Sequence, residues 1–242
     1  GIRLRFGRRA VAEFLLPQRC LECGRFGAAL HEECVAGFAR AERPRCRVCW
    51  APSRILVCER CALDDAHSDS PELRRGFTEL RAPFRFTGAA RRALLEAKFR
   101  GVTSLLPPLA RAAAGSAEAS WRPDVVVPIP LAPRRERRRG FNQAALIARE
   151  VATSLDVPIA LDGLARVRES EAQASLGASE RATNLEGAFR ASGVAGARVL
   201  LVDDVTTTGS TLNEAARALR AARARARCSR SRWHGRTERG SP

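Results

Sequence analysis

The chain of 242 residues contains no methionine and no tyrosine, has only 5% aromatic residues, and has one lysine, Lys98, among 42 basic side chains. Each shortage excludes something. With so few rings, the chain offers no dedicated platform for stacking nucleic-acid bases. No apolar run approaches the length needed to cross a bilayer as a helix. The opening IRLRFGRRAVAEFLLP is broken by arginines every few residues, so it lacks the apolar core of a secretory signal, and a cytoplasmic protein is expected. A chain that starts at Gly1 and has no methionine reads as a fragment or as an incompletely called reading frame. The near-absence of lysine, beside abundant Ala, Arg and Gly, suits the base composition of the coding DNA as well as it suits selection. The formal charge of +16 is therefore weak evidence for a nucleic-acid partner. From Arg217 onward nine arginines face Glu238 alone, which accounts for half of that net charge.

Cysteine is present in quantity. Seven of the eight fall between Cys20 and Cys61, and with no export signal in view metal binding is the better expectation than disulfides. The spacings are Cys20-x-x-Cys23, His31-x-x-Cys34, Cys46-x-x-Cys49 and Cys58-x-x-Cys61. A two-residue spacer lets both side chains of a knuckle point at one ion, and two knuckles complete a tetrahedron. One or two structural zinc ions are expected, on Cys20, Cys23, His31 and Cys34 and on Cys46, Cys49, Cys58 and Cys61; a crossed pairing is also open. So short and arginine-rich a segment buries little apolar area, and metal would supply most of its folding free energy.

The next stretches set out an α/β domain. RRAVAEFLL (residues 8–16) suits a short helix, and residues 62–76 suit a polar linker containing His67. PFRFTGAARRALLEAKFRG reads as a strand with alternating Phe84 and Phe86, a turn at Gly88 and a helix ending near Lys98 and Arg100, where either helix capping or ligand binding would suit the two cations. A helix over residues 105–114 follows. Residues 125–129 read as a buried strand leading to Arg134, Arg135, Arg137, Arg138 and Arg139, then Gly140 and a helix from about Asn142. An arginine-rich loop at a strand end and helix start is an anion site, though such a run also suits a plain solvated face. VPIAL and LARV read as short strands. Gln173, Arg181 and Asn184 stand out as ligand contacts in the long polar segment after them.

The organising stretch is RVLLVDDVTTTGST, residues 198–211. An unalternating run of branched apolar residues predicts a strand buried on both faces, as in a parallel sheet. It ends in Asp203 and Asp204. The loop then opens a helix carrying Leu212, Ala215, Ala216 and Leu219 on one face. Backbone amides of Val205, Thr206, Thr207, Thr208, Gly209 and Ser210, with the hydroxyls here and at Thr211, suit a phosphate. The carboxylates repel phosphate and suit a sugar diol or a metal ion.

VLLVDDVTTTGST resembles the phosphoribosyl-pyrophosphate (PRPP) signature of type I phosphoribosyltransferases. Together with the cysteine knuckles, FRFTGAARRALLEAKFRG, VPIPLAPRRERRRGFNQA and QASLGASERATNLEGAF, in that order, it resembles the ComF family of phosphoribosyltransferase-like proteins. The resemblance implies a Rossmann-like, mostly parallel sheet flanked by helices, with a small zinc-ribbon module before it. The expected division is an arm or helix at 1–16, a zinc ribbon at 17–64, a transferase-like domain at 77–221 and an unstructured basic tail at 222–242. It also implies binding of PRPP or a related sugar phosphate with Mg²⁺. Asp203 and Asp204 would act at the ribose, the loop at the 5-phosphate, and Arg134 to Gly140 at the pyrophosphate. An association with DNA uptake follows, with single-stranded DNA and a helicase as partners. The alternative is a catalytically idle DNA- or helicase-binding component. Two features depart from the family pattern: His31 stands where relatives more often have cysteine, and ARARARCSRSRWHGRTERGSP replaces a final apolar strand, as a shifted reading frame would.

Overall fold

The computed structural model describes residues 18–66, 76–168, 186–206 and 209–228; side chains at 64–66 and 223–228 are left aside. The expectations for residues 8–16, His67, Gln173, Arg181, Asn184, Thr207 and Thr208 lie outside the described residues.

The cysteine-rich segment holds two knuckle pairs and two short helices, α1 (Glu32–Ala36) and α2 (Glu59–Ala66). Helix α2 occupies the start of the stretch expected to be linker. The expected strand at Phe84 and Phe86 is reduced to one antiparallel bridge, Arg40 to Phe84. Its backbone bonds go to the ribbon, with the Ala41 amide donating to Pro83 and the Arg85 amide to Ala39. Phe84 then meets Phe38 edge to face at 5.9 Å.

Helix α3 (Gly88–Arg100) ends at Gly101, which takes a left-handed φ of 72°. Its buried stripe is Ala90, Ala93 and Ala97, spaced three and four apart; Phe99 is 69% exposed. Helix α4 (Leu106–Ala114) carries Pro107 and Pro108 in its first turn, where no intrahelical N–H is required. Cys20, Leu30, Val35 and Phe38 of the ribbon share one apolar cluster with Ala90, Ala93, Leu105 and Leu109. The cysteine-rich segment is thus packed on α3 and α4.

Strand β1 (Val125–Pro128) is buried throughout. After it, the arginine run forms a short helix, α5 (Pro133–Arg139), rather than a loop. Proline at its start, good helix-forming arginines and a left-handed Gly140 at its end explain the change. Helix α6 (Gln143–Leu155) is capped by the Asn142 side chain, which accepts from the Ala144 amide. Strands β2 (Leu164–Arg166) and β3 (Phe189–Ala191) pair antiparallel. Strand β4 (Val199–Val202) pairs parallel with β1, Val125 opposite Val199, and on its other side β1 bridges Ile159 in parallel. Helix α7 (Ser210–Cys228) follows.

The pleat sends alternate side chains to opposite layers. Val125, Val127 and Ile129 pack with Leu212, Ala215 and Leu219 of α7. Val126 packs with Ala148 and Ala152 of α6, and Leu200 and Val202 join the α4 and α6 cluster of Leu106, Ala110, Ile147 and Val151. A parallel sheet between helical layers results.

Two expectations need correction. Strand β4 is only half-buried, because among the described residues it has one strand neighbour. Its second edge borders a cavity of about 550 Å³, walled by α4, α6, α7 and residues 76–86. Helix α7 runs to Cys228, seven residues into the expected tail, since alternating Ala and Arg propagate a helix well. Among the described residues no helix is long and apolar enough to cross a membrane.

Candidate functional site

The knuckles assemble into two separate ligand sets, Cys20, Cys23, His31 and Cys34, and Cys46, Cys49, Cys58 and Cys61. Within each set the ligand atoms all lie within 4.8 Å of one another. The grouping follows sequence order, so the crossed pairing is not the one formed. With zinc–sulfur bonds of about 2.3 Å, a tetrahedron has sulfur–sulfur edges of about 3.8 Å. The Cys20 and Cys34 sulfurs are 3.8 Å apart and those of Cys49 and Cys58 3.7 Å. His31 turns Nδ1 toward the Cys23 sulfur, at 3.4 Å, while its Nε2 lies 3.3 Å from the Phe26 carbonyl. Donation from Nε2–H to that carbonyl would leave Nδ1 as the ligand atom. Burial raises the Cys46 thiol, but amides of Cys49, Cys58 and Val48 outweigh it and bring the group down to about 6. Burial and the neighbouring Cys23 and Cys20 push Cys34 up to about 11. Thiolates crowded this closely need a cation among them. Both sets therefore fit a structural zinc ion, with four protein ligands and no open position for chemistry.

The second site lies at the carboxyl end of β4, where Asp203 and Asp204 border the cavity with Thr206. The Asp204 amide donates to Asp203 Oδ1 at 2.8 Å. Burial, followed by the neighbouring Asp204 charge, raises the Asp203 carboxyl to about 7, against the opposing pull of Lys98 and Arg166. By area Asp203 is half-buried, and the surface it retains lines the cavity. Lys98 Nζ lies 2.7 Å from Asp204 Oδ2, and the two side chains are only 16% and 14% exposed.

Arg139 completes this cluster. Burial, together with Arg135 and Arg138, lowers its pKa, and Asp204 opposes that shift. Its guanidinium lies over the Phe99 ring at 5.6 Å and donates to Gln143 Oε1 at 3.0 Å. That bond fixes the amide's orientation. Gln143 Nε2 is then buried with no partner among the described residues.

The other expected residues are distributed unevenly. Val205 and Thr206 continue from the acid pair, Gly209 adopts φ +77° facing the Phe77 ring, and Ser210 and Thr211 form the first turn of α7. Arg134, Arg137 and Arg138 are exposed on α5, and Arg135 is half-buried. Of that run, Arg139 is the member coupled to Asp204. Gly140 closes α5, its amide donating to Glu136. Arg166 and Gln143 are site residues that sequence reasoning did not select, and Lys98 is one that it left open between helix capping and ligand binding. The one available signal was that Lys98 is the sole lysine of the chain.

Residues 106–229, about half of the chain, match the family described as the phosphoribosyl transferase domain. Among curated proteins the chain is similar to "Competence protein F" of Haemophilus influenzae, 41% identical over 102 residues, which covers 40% of this chain and 44% of that protein. It is 32% identical over 188 residues to "DNA utilization protein YhgH" of Salmonella typhimurium, covering 72% of this chain and 83% of that protein. It is 33% identical over 184 residues to "Competence protein ComFC" of Bacillus subtilis, covering 72% and 70%. The match thus spans less than half of the Haemophilus protein and most of the other two. No solved structure matches the chain.

Proposed function

Because the chain belongs to the ComF family of phosphoribosyltransferase-like proteins, we propose that the crevice at the end of β4 binds PRPP or a related sugar phosphate and transfers its pentosyl group. The observation that carries this reading is the acid pair at the carboxyl edge of a parallel strand, facing Lys98 and Arg139 and followed by a helix start. In such a transfer pyrophosphate leaves C1′ as positive charge builds on the ribose ring, and a bound nucleophile attacks. No covalent protein nucleophile is needed. Asp203 and Asp204 orient the ribose diol and offset the growing charge. The residues from Val205 to Thr211 hold the 5-phosphate with amides and hydroxyls. Arg139, Gly140 and Gln143 meet the pyrophosphate, with Arg135 behind them.

Mg²⁺ would neutralise the leaving pyrophosphate when bound. Two carboxylates, one of them already bonded to an ammonium, are too few donors for an octahedral ion. They fit Mg²⁺ that keeps its phosphate oxygens as ligands. The relatives' names associate them with competence and DNA utilization, and we carry that association to this chain. A reducing cytoplasm, which keeps the thiols available as ligands, is the compartment we assign.

The second reading is a binding component for single-stranded DNA or a helicase, favoured by the exposed Arg134, Arg137 and Arg138 on α5. Calorimetric titration with PRPP and Mg²⁺ tests the first. Binding should require the metal and should weaken in Asp203→Asn and Asp204→Asn. Incubation with a panel of bases, following pyrophosphate release, then identifies the acceptor. Absence of PRPP binding, with salt-sensitive DNA binding, would favour the second reading.

A further inference from the structure

Lys98 sits in the last turn of α3, where its ammonium could have remained with the helix's own carbonyl end. Instead it crosses to β4's terminal loop and bonds Asp204 in a partly desolvated pair. Of the nearby cations, Lys98 of α3 bonds the acid pair directly, while Arg139 of α5 and Arg166 of β2 act on it electrostatically from beyond hydrogen-bond contact. A bare metal ion approaching Asp204 must displace the ammonium already bonded to it, whereas an anion can share that ammonium.

The side-chain type also matters. Every other basic residue in this chain is arginine or histidine. A guanidinium would grip a carboxylate through two fixed bonds, whereas an ammonium on a flexible stem is a point charge that can move from a carboxylate to a phosphate oxygen a few ångströms away.

We propose that Lys98 is the resident counter-ion of the acid pair, holding Asp204 until an anionic ligand takes the ammonium over. The pair then accepts a divalent cation only together with that ligand. The identity of the anion as a sugar phosphate rests on the function proposed above; the exclusion of bare metal does not.

The test uses zinc-loaded full chain and Mn²⁺, whose paramagnetic signal reports binding without any sugar phosphate. Wild type should bind Mn²⁺ weakly. Lys98→Met should bind it at least tenfold more tightly, and Lys98→Met/Asp204→Asn should lose the gain. Lys98→Arg keeps the charge and serves as the folded control, excluding Mn²⁺ as wild type does. In parallel, the affinity for PRPP with Mg²⁺ should fall at least tenfold in Lys98→Met. If Lys98→Met binds Mn²⁺ no better than wild type, or wild type already binds it tightly at Asp204, the proposal is overturned. If no variant binds PRPP, the transferase reading fails, and the Mn²⁺ comparison still decides the role of Lys98.

Discussion

Replacing Asp203 with asparagine should make the protein more stable, and increasingly so as the pH rises. Burial and the adjacent Asp204 charge raise this carboxyl from 3.8 to about 7 in the folded chain. Between those values the folded protein keeps a proton that the unfolded chain releases. Stability therefore falls with rising pH over that window and levels off above about pH 7. Each tenfold change in proton affinity is worth roughly 1.4 kcal/mol, which makes the full penalty about 4 kcal/mol. Of that, on the order of 1 kcal/mol develops between pH 6 and 8.5. Asparagine carries no charge, and its Oδ1 can still accept from the Asp204 amide, as Asp203 does at 2.8 Å. Urea unfolding of both proteins should show the stability gap widening by on the order of 1 kcal/mol from pH 6 to 8.5. Titration of the zinc ligands is common to both and cancels in the difference. A gap that stays constant or narrows would refute the premise that Asp203 is desolvated beside a second carboxylate. The same substitution should weaken PRPP binding, as expected of a group retained for function against stability.

Zinc removal should do more than unfold the ribbon: Leu30, Val35 and Phe38 share a cluster with Ala93, Leu105 and Leu109, so a strong chelator should also lower the melting temperature followed by helical circular dichroism. A transition of the helices unmoved by chelation would contradict that shared core. Arg81→Ala should destabilise by about 2 kcal/mol in urea unfolding. Its side chain, 6% exposed, pairs with Glu79 and Glu118, donates to the Arg47 and Leu80 carbonyls and lies over Trp50 at 4.5 Å. Gly76→Ala should cost roughly 2 kcal/mol or more in the same assay, because a Cβ there would overlap the Asn213 carbonyl and the Arg217 amide nitrogen of α7.

The elements legible in the sequence were those whose signal is local. The continuous apolar runs at residues 125–128 and 199–202 announced parallel strands, and the two-residue spacing of the knuckles announced metal-ligand pairs, although it left open how the pairs combine. Phe84 and Phe86 alternated like a strand, yet only one bridge formed, because strand pairing depends on a partner that periodicity cannot reveal. The α5 arginines looked like a loop because charge masked a proline start and glycine stop that are ordinary helix punctuation. Lys98 could not be assigned at all: 106 positions separate it from Asp204, and helix end and crevice rim make the same demand for a cation. The half-exposed β4 was equally out of reach, since burial of an edge depends on what packs beside it.

The distribution of charge separates the two functional readings where its total does not. Half of the net +16 lies from Arg217 onward, and the exposed arginines of α5 face solvent, where salt screens their charge. Lys98 acts on the acid pair at hydrogen-bond range, and Arg139 is partly buried near it, where screening is weak. Binding of PRPP should therefore fall only a few-fold between 50 and 200 mM salt, while single-stranded DNA captured by surface arginines should fall far more steeply, by at least an order of magnitude for several phosphates engaged. Arg134→Ala/Arg137→Ala/Arg138→Ala should reduce the slope for DNA and leave PRPP affinity nearly unchanged, because Arg139 is retained. Isothermal titration for PRPP and fluorescence anisotropy for a labelled oligonucleotide, at the two salt concentrations, give the comparison. If the triple variant abolishes PRPP binding, the anion site extends along α5 and Arg139 is not its main contact. If it leaves DNA binding intact as well, the α5 surface is solvated charge without a ligand, and the case for DNA contact moves to the basic end of α7.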